Sequence, residues 1–191
     1  MYKGIDVSER QGTIDWKKVK KAGCRFAVLR SIKWDGKPDS QFWANAKGCY
    51  ANDIPYSVYR YTYAVLPTEA LEEAEQVIRL LRSRGKRSCR IWWDVDDKSL
   101  EPLGRDVLTG LIKTAENTIT GAGYKFGIYT GQFFYDGGFF DAGAFDCPMW
   151  VARYPVSRSF VFDENPPSDK YRPEIKQPLF AWQYTSKGRI D

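Results

Sequence analysis

The sequence predicts an α/β protein: one domain over residues 1–191, folded as an irregular TIM-like (β/α)5(β)3 barrel. Three observations lead there. Short β-rich runs alternate with helical patterns five times, which implies parallel strands joined by right-handed crossovers. After residue 131 the alternation stops, and further strands arrive with no helical period between them. Acids and aromatics gather at the carboxyl ends of the expected strands, the end where a β/α barrel carries its site. An open doubly wound sheet is the competing architecture, but the chain has no GxGxxG loop for a dinucleotide.

The elements follow in order. "YKGIDVS" (2–8) is a first strand, and Asp15 caps a helix through "WKKVKKAG" that Gly23 stops. "RFAVLRSI" (25–32) is a second strand, after which Phe42, Trp43, Ala46, Cys49 and Tyr50 repeat at helical spacing. "PYSVYRYTYA" (55–64) is a third strand with Tyr59, Tyr61 and Tyr63 on one face. Ala70, Ala74, Val77, Ile78 and Leu81 mark an amphipathic helix, and "CRIWWDVD" (89–96) the fourth strand. Leu103, Val107, Leu108, Leu111, Ile112, Ala115 and Ile119 mark a long helix ending near Gly121 and Gly123. "KFGIYTG" (125–131) is the fifth strand; "PMWVARY" (148–154) and "LFAWQYT" (179–185) are later ones, separated by a long loop over 163–178.

Composition narrows the function. At 43% hydrophobic, 191 residues supply one full core. No run reaches the roughly 18 apolar residues of a membrane span, so membrane insertion is not expected. Met1 runs almost directly into "KGIDVS" with no leader, so the chain is expected to be made in the cytoplasm. The four cysteines have no CxxC pairing and read as small hydrophobes rather than a disulfide or zinc framework. No histidine is present, which removes Ser-His and Cys-His nucleophiles. The net charge of +5 is spread over solvated helix faces such as "KKVKK" and "RSRGKR". No nucleic-acid motif accompanies it; solvated faces are the preferred reading, and a mild basic excess would also suit an anionic polymer.

The stretch "RIWWDVDDKS" (90–99) carries three acids behind a buried-type strand, where an unpaired carboxylate is costly. Asp94 and Asp96, two residues apart, point to one side. Asp6 ends the first strand, Tyr61 and Tyr63 the third, Tyr129 the fifth, and Gln183 and Tyr184 the last. Carboxylates ringed by aromatics suit glycoside hydrolysis, in which one acid protonates the leaving oxygen. The spacing by itself fits a strand-end cap or a Ca²⁺ or Mg²⁺ site equally well. The aromatic rather than oxygen-rich surroundings argue for no metal and no cofactor.

Specific motifs favour the first of these. "GIDVSERQGTIDW" (4–16) resembles the opening of glycoside hydrolase family 25 muramidases. "AGCRFAVLRS", "PYSVYRYTYA", "IWWDVDDKS", "AGYKFGIYTG", "MWVARY" and "AWQYTSKGRID" are similar to its later strands, in the same order over nearly the whole chain. The resemblance implies hydrolysis of the β-1,4 bond from N-acetylmuramic acid to N-acetylglucosamine in bacterial cell-wall peptidoglycan. It also implies retention of configuration, with the substrate's acetamido group as nucleophile. Asp96 would be the general acid, Asp94 would orient the acetamido group, and Asp6 would set the local field. Tyr61, Tyr63, Tyr129, Trp150, Gln183 and Tyr184 would hold the sugar, in a protein expected to be monomeric. Three departures bear on catalysis rather than fold: Asp96 stands where the family has Glu, Arg60 where it has His, and the family pattern continues beyond "GRID". A catalytically weak wall-binding module on the same barrel is the alternative, and another glycan hydrolase a third reading.

Overall fold

The computed structural model of the chain describes residues 2–86 and 88–190. The strands are β1 (Gly4–Val7), β2 (Phe26–Arg30), β3 (Tyr56–Tyr61), β4 (Arg90–Asp94), β5 (Lys125–Gly131), β6 (Met149–Ala152), β7 (Phe160–Val161), β8 (Leu179–Gln183) and β9 (Gly188–Arg189). The helices are α1 (Trp16–Lys21), α2 (Phe42–Ala51), α3 (Pro67–Arg82), α4 (Arg105–Gly121) and α5 (Gln132–Asp136), one after each of the first five strands. Seven strands form one sheet in the order β1-β2-β3-β4-β5-β6-β8, every neighbouring pair parallel. The sheet curls until its two end strands meet, where Gln183 Nε2 on β8 donates to Asp6 Oδ2 on β1 at 2.9 Å. The architecture is the barrel-like α/β fold that the sequence predicts.

The pleat sorts side chains into two layers. Outward residues such as Leu29, Val58, Ile91, Trp93, Ile128 and Val151 join the helices in the main core. Inward residues Val28, Trp92, Tyr129, Trp150 and Ala152 form a second, smaller cluster inside the curl. That interior is filled with side chains, as in other β/α barrels, and makes a floor for whatever lies above it.

Local rules place the helices. Asp15 Oδ1 accepts the backbone N–H of Lys17 and Lys18 at 3.0 and 3.1 Å, the N-cap the sequence marks for α1. Pro67 opens α3, and Glu69 Oε2 accepts the N–H groups of Val65 and Leu66. Gly48 lets α2 pass α1, since a Cβ there would lie 2.0 Å from the Trp16 ring.

Several boundaries depart from the sequence expectation. The fourth strand stops at Asp94, so Asp96 belongs to the turn that follows. Leu103 closes a 3₁₀ turn (Lys98–Leu103) rather than opening α4, and Val107 faces solvent, because Gly104 at φ +80° breaks the helix between them. Tyr50 is exposed on the outer side of α2. The short pair β7–β9 forms a separate parallel ribbon; each member is two residues long, too short to show a period. Cys24, Cys49 and Cys147 are buried and Cys89 half-buried, all as free thiols.

Candidate active site

The carboxyl ends of the strands bring Asp6, Asp94 and Asp96 into one electrostatic cluster. Asp94 lies on the inner face of β4, level with Tyr61 on β3 and Tyr129 on β5. It is 6% exposed, and its Oδ1 has no hydrogen-bond partner. Burial, followed by the charges of Asp96, Asp6 and Asp97, pushes its carboxyl well above the ordinary aspartate range. A buried acceptor left unpaired costs about 1–3 kcal/mol, so the site holds Asp94 under strain until a donor or a proton reaches it.

Asp6 is the inward residue near the end of β1. Burial raises its carboxyl, and the bond from Gln183 works against that shift. Gln183 is itself fixed: its Oε1 accepts the Tyr129 hydroxyl at 2.7 Å and also the Tyr154 hydroxyl. The two donors orient the amide so that its NH2 faces Asp6. Tyr154 lies just beyond β6, and its hydroxyl is raised by burial and by the charges of Asp6, Asp96 and Asp94. Its place at the end of "MWVARY" is the signal in the sequence that marks it, the same strand-end position that marks Tyr129.

Asp96 sits in the turn after β4 with its carboxylate against β5. The Gly131 backbone N–H holds the charged form, while burial and then the Asp97 charge raise its carboxyl. A Cβ on Gly131 would stand 2.7 Å from Asp96 Oδ1. Gly131 has an ordinary φ of −76°, so glycine is required here for space rather than for backbone freedom. Asp96 thus feels the charge of Asp97 and shares a mutual repulsion with Asp94. Asp97 behaves oppositely to its neighbours: bonds from Ser99 and Tyr61 keep it below the ordinary range. It caps the 3₁₀ turn through Ser99 N at 2.8 Å and accepts the Tyr61 hydroxyl at 2.8 Å.

The remaining sequence-marked residues take distinct places. The Tyr61 and Tyr63 rings lie 4.9 Å apart, with Tyr63 42% exposed, and make an open aromatic wall. The Tyr129 and Trp150 rings meet at 4.5 Å, with Trp150 buried in the floor. Tyr184 packs on Phe160 of β7 and on Trp182, because the pleat turns it away from Gln183. Arg60 lies outside the groove. It points outward from β3, donates to Glu73 Oε1 at 2.7 Å and to the carbonyls of Ile32 and Lys33, and is 2% exposed. On the inner face, Arg30 is held by Asp39 at 2.7 Å and Glu9 at 2.8 Å. Among the described residues no group of three or more acids or thiols is arranged to hold a metal ion, and no helix is long and apolar enough to cross a membrane.

Residues 5–191 match the family described as glycosyl hydrolases family 25. Lysozyme M1 of Streptomyces globisporus is 28% identical over 200 residues, covering 98% of this chain and 63% of that protein. The autolytic lysozyme of Clostridium acetobutylicum is 22% identical over 189 residues, covering 99% of this chain and 52% of that protein. The chain therefore spans 52–63% of the length of these curated relatives. Among solved structures, the catalytic domain of endolysin ply40 from bacteriophage P40 of Listeria monocytogenes superposes with a TM-score of 0.78 at 26% identity, covering 100% of this chain and 87% of that one.

Proposed function

The chain belongs to glycosyl hydrolases family 25, and from that premise we propose that it is a muramidase acting on the peptidoglycan of bacterial cell walls. The observation that carries the reading is the unpartnered, buried Asp94 oxygen within a cluster of strand-end acids. An N-acetyl group supplies the missing partner, since its amide N–H donates to Asp94.

With Asp94 orienting the acetamido group, its carbonyl oxygen attacks the anomeric carbon as the glycosidic bond breaks. Asp96 gives its proton to the leaving oxygen, and configuration is retained when water opens the cyclic intermediate, with Asp96 taking the proton back. Asp6, locked to Gln183, adds a negative charge beneath the oxocarbenium-like centre. Tyr61 and Tyr63 offer ring faces to the sugar, and Tyr129 and Trp150 support the floor beneath it.

The test is loss of turbidity of purified cell walls, with product masses. Wild type is expected to release fragments ending in N-acetylmuramic acid. Asp94→Asn and Asp96→Asn are each expected to lose about 100-fold or more in rate while still folding, in line with loss of a general acid or an orienting charge. Asp96→Glu should keep or raise the rate if the groove accommodates the longer acid. The second reading, a wall-binding module with weak chemistry, is favoured by the drawing of Asp96 back onto Gly131. It would win if wild type and Asp96→Glu both bind walls but release no sugar.

A further inference from the structure

The inner face of β4 reads Arg90, Trp92, Asp94 from the amino end of the barrel to the carboxyl end. The acid faces the candidate active site, the tryptophan is part of the floor, and the arginine lies on the far side of that floor. The opposite mouth is therefore of opposite charge, at the far end of the space that Asp6 and Gln183 also line. It opens into a cavity of about 1310 Å³ whose far-side lining includes Phe26, Ser57, Arg90, Trp92 and Phe180.

Arg90 is the unusual member. It is half-buried, its guanidinium lies 5.4 Å from the Trp92 ring and 5.6 Å from the Phe180 ring, and Nη1 donates to the Phe126 carbonyl. No carboxylate among the described residues forms an ion pair with it, and burial lowers its pKa. Partly removing a charge from water without a counter-charge is costly, and the half-buried guanidinium keeps N–H groups beyond the Phe126 bond that an anion in the cavity can accept. Ser57 stands beside Arg90 in the parallel register of β3 and β4, one step before the Val58–Ile91 pair. Its Oγ accepts the Trp92 Nε1–H at 3.1 Å, which leaves its own proton free to donate into the cavity. Six cations line the whole cavity against two acids, Asp6 and Asp15. Both acids are already engaged, one by Gln183 and the other as the α1 cap.

We infer that the amino-terminal mouth of the barrel is a second binding site, for an oxyanion of the carboxylate or phosphate class. Arg90 is its charge partner, Ser57 its second donor, and Trp92 and Phe180 its walls. A guanidinium lying against two rings that themselves meet at 5.3 Å, and bonded to the Phe126 carbonyl, presents a fork to a planar carboxylate or to two phosphate oxygens, which suits charge-assisted bonding. Two sources of that chemistry are separable: phosphodiesters of a polyol-phosphate polymer, and free carboxylates of peptides or acidic sugars.

The probe is inorganic phosphate, titrated at constant ionic strength against chloride, with tryptophan fluorescence as readout because Trp92 touches Arg90. Glycerol phosphate and acetate form the two source arms. Saturable quenching by phosphate is expected, at least tenfold weaker in Arg90→Gln and a few-fold weaker in Ser57→Ala. Wall hydrolysis by both variants should stay within about twofold of wild type, since the bonds of Arg90 and Ser57 run to Phe126 and Trp92 rather than to Asp6, Asp94 or Asp96. Should Arg90→Gln fail to fold, Arg90→Lys keeps the charge without the fork and is expected to bind several-fold more weakly. Quenching that chloride reproduces, or phosphate binding unchanged in Arg90→Gln or Arg90→Lys, would overturn the site. The readout is binding, so it stands apart from whether the chain cleaves peptidoglycan.

Discussion

Asp94 is held against its own charge, and that makes it the residue whose effects on stability and on activity oppose each other. Its carboxyl is raised by burial, then by Asp96, Asp6 and Asp97. A folded-state pKa above the unfolded one means that the folded chain binds the extra proton between the two values. Stability therefore falls as pH rises through that window and stays lower at neutral pH. Asp94→Asn keeps the shape without the charge. Its melting temperature at pH 7 is expected to rise by a few degrees, with the gain disappearing below about pH 3.9, the ordinary aspartate value. Thermal melts from pH 3 to 8 check this, and an equal gain at every pH would point to packing instead. Gly131 gives the second residue-scale prediction. Adding a methyl 2.7 Å from Asp96 Oδ1 displaces the carboxylate from the Gly131 N–H that favours its charge. Gly131→Ala should then lower kcat by about 10- to 100-fold, the cost of a misplacement on the order of 1 Å. It should also move the alkaline limb of the pH profile upward, a shift that a purely structural defect would not produce. The sequence made the acids legible through their positions at strand ends. It could not give the Gly131 contact, because that pairs residues 35 apart along the chain, brought together only by the β4–β5 register.

At the scale of elements, the third strand shows how a polar residue can look functional and yet be architectural. Arg60 sits between tyrosines in "YRYTY", but the alternation that sends Tyr59 and Tyr61 inward sends Arg60 outward. There it meets Glu73 on α3, whose Oε2 also accepts the Thr62 hydroxyl at 2.6 Å and whose Oε1 accepts the Tyr63 N–H at 3.1 Å. One carboxylate thus joins α3 to the end of β3 and sets the position of the Tyr63 wall. Removing one member of a buried pair leaves an unmatched charge. Glu73→Ala is expected to cost about 3–5 kcal/mol in urea unfolding, whereas Arg60→Met with Glu73→Leu should recover most of it. A Glu73→Ala protein as stable as wild type would show that the pair contributes nothing. The period of two was readable in the sequence; the partner was not, since nothing local to residue 60 names position 73.

At the scale of the molecule, the ends of the curled sheet meet through side chains. Gln183 on β8 donates to Asp6 on β1 and accepts from Tyr129 on β5 and Tyr154 beyond β6. One amide therefore gathers both ends of the sheet and two further segments around the candidate active site. Gln183→Leu has a similar volume but removes all three bonds, leaving Asp6 without its donor and two hydroxyls without their acceptor. A loss of about 1–3 kcal/mol is expected for the unsatisfied groups. The carboxyl of Asp6 should rise further, because the bond that opposes its burial is gone. Titration of Asp6 by NMR in the two proteins checks the direction, and an unchanged or lowered value would remove Gln183 from that role.

The sequence by itself determined the order of β/α units, the capped start of α1, the buried apolar periods of α3 and α4, and the acids at strand ends. These follow from spacing and local chemistry, which a chain carries wherever it folds. Only the tertiary structure decided which acid is most desolvated, that Asp96 lies back against Gly131, that Gln183, set by Tyr129 and Tyr154, holds Asp6, and that Arg90 lies at the opposite end of the curl from the acids. Each of these depends on the curl of the sheet. Desolvation and Coulomb interaction act through distance in space, and that distance is set by strand register and barrel curvature rather than by separation along the chain.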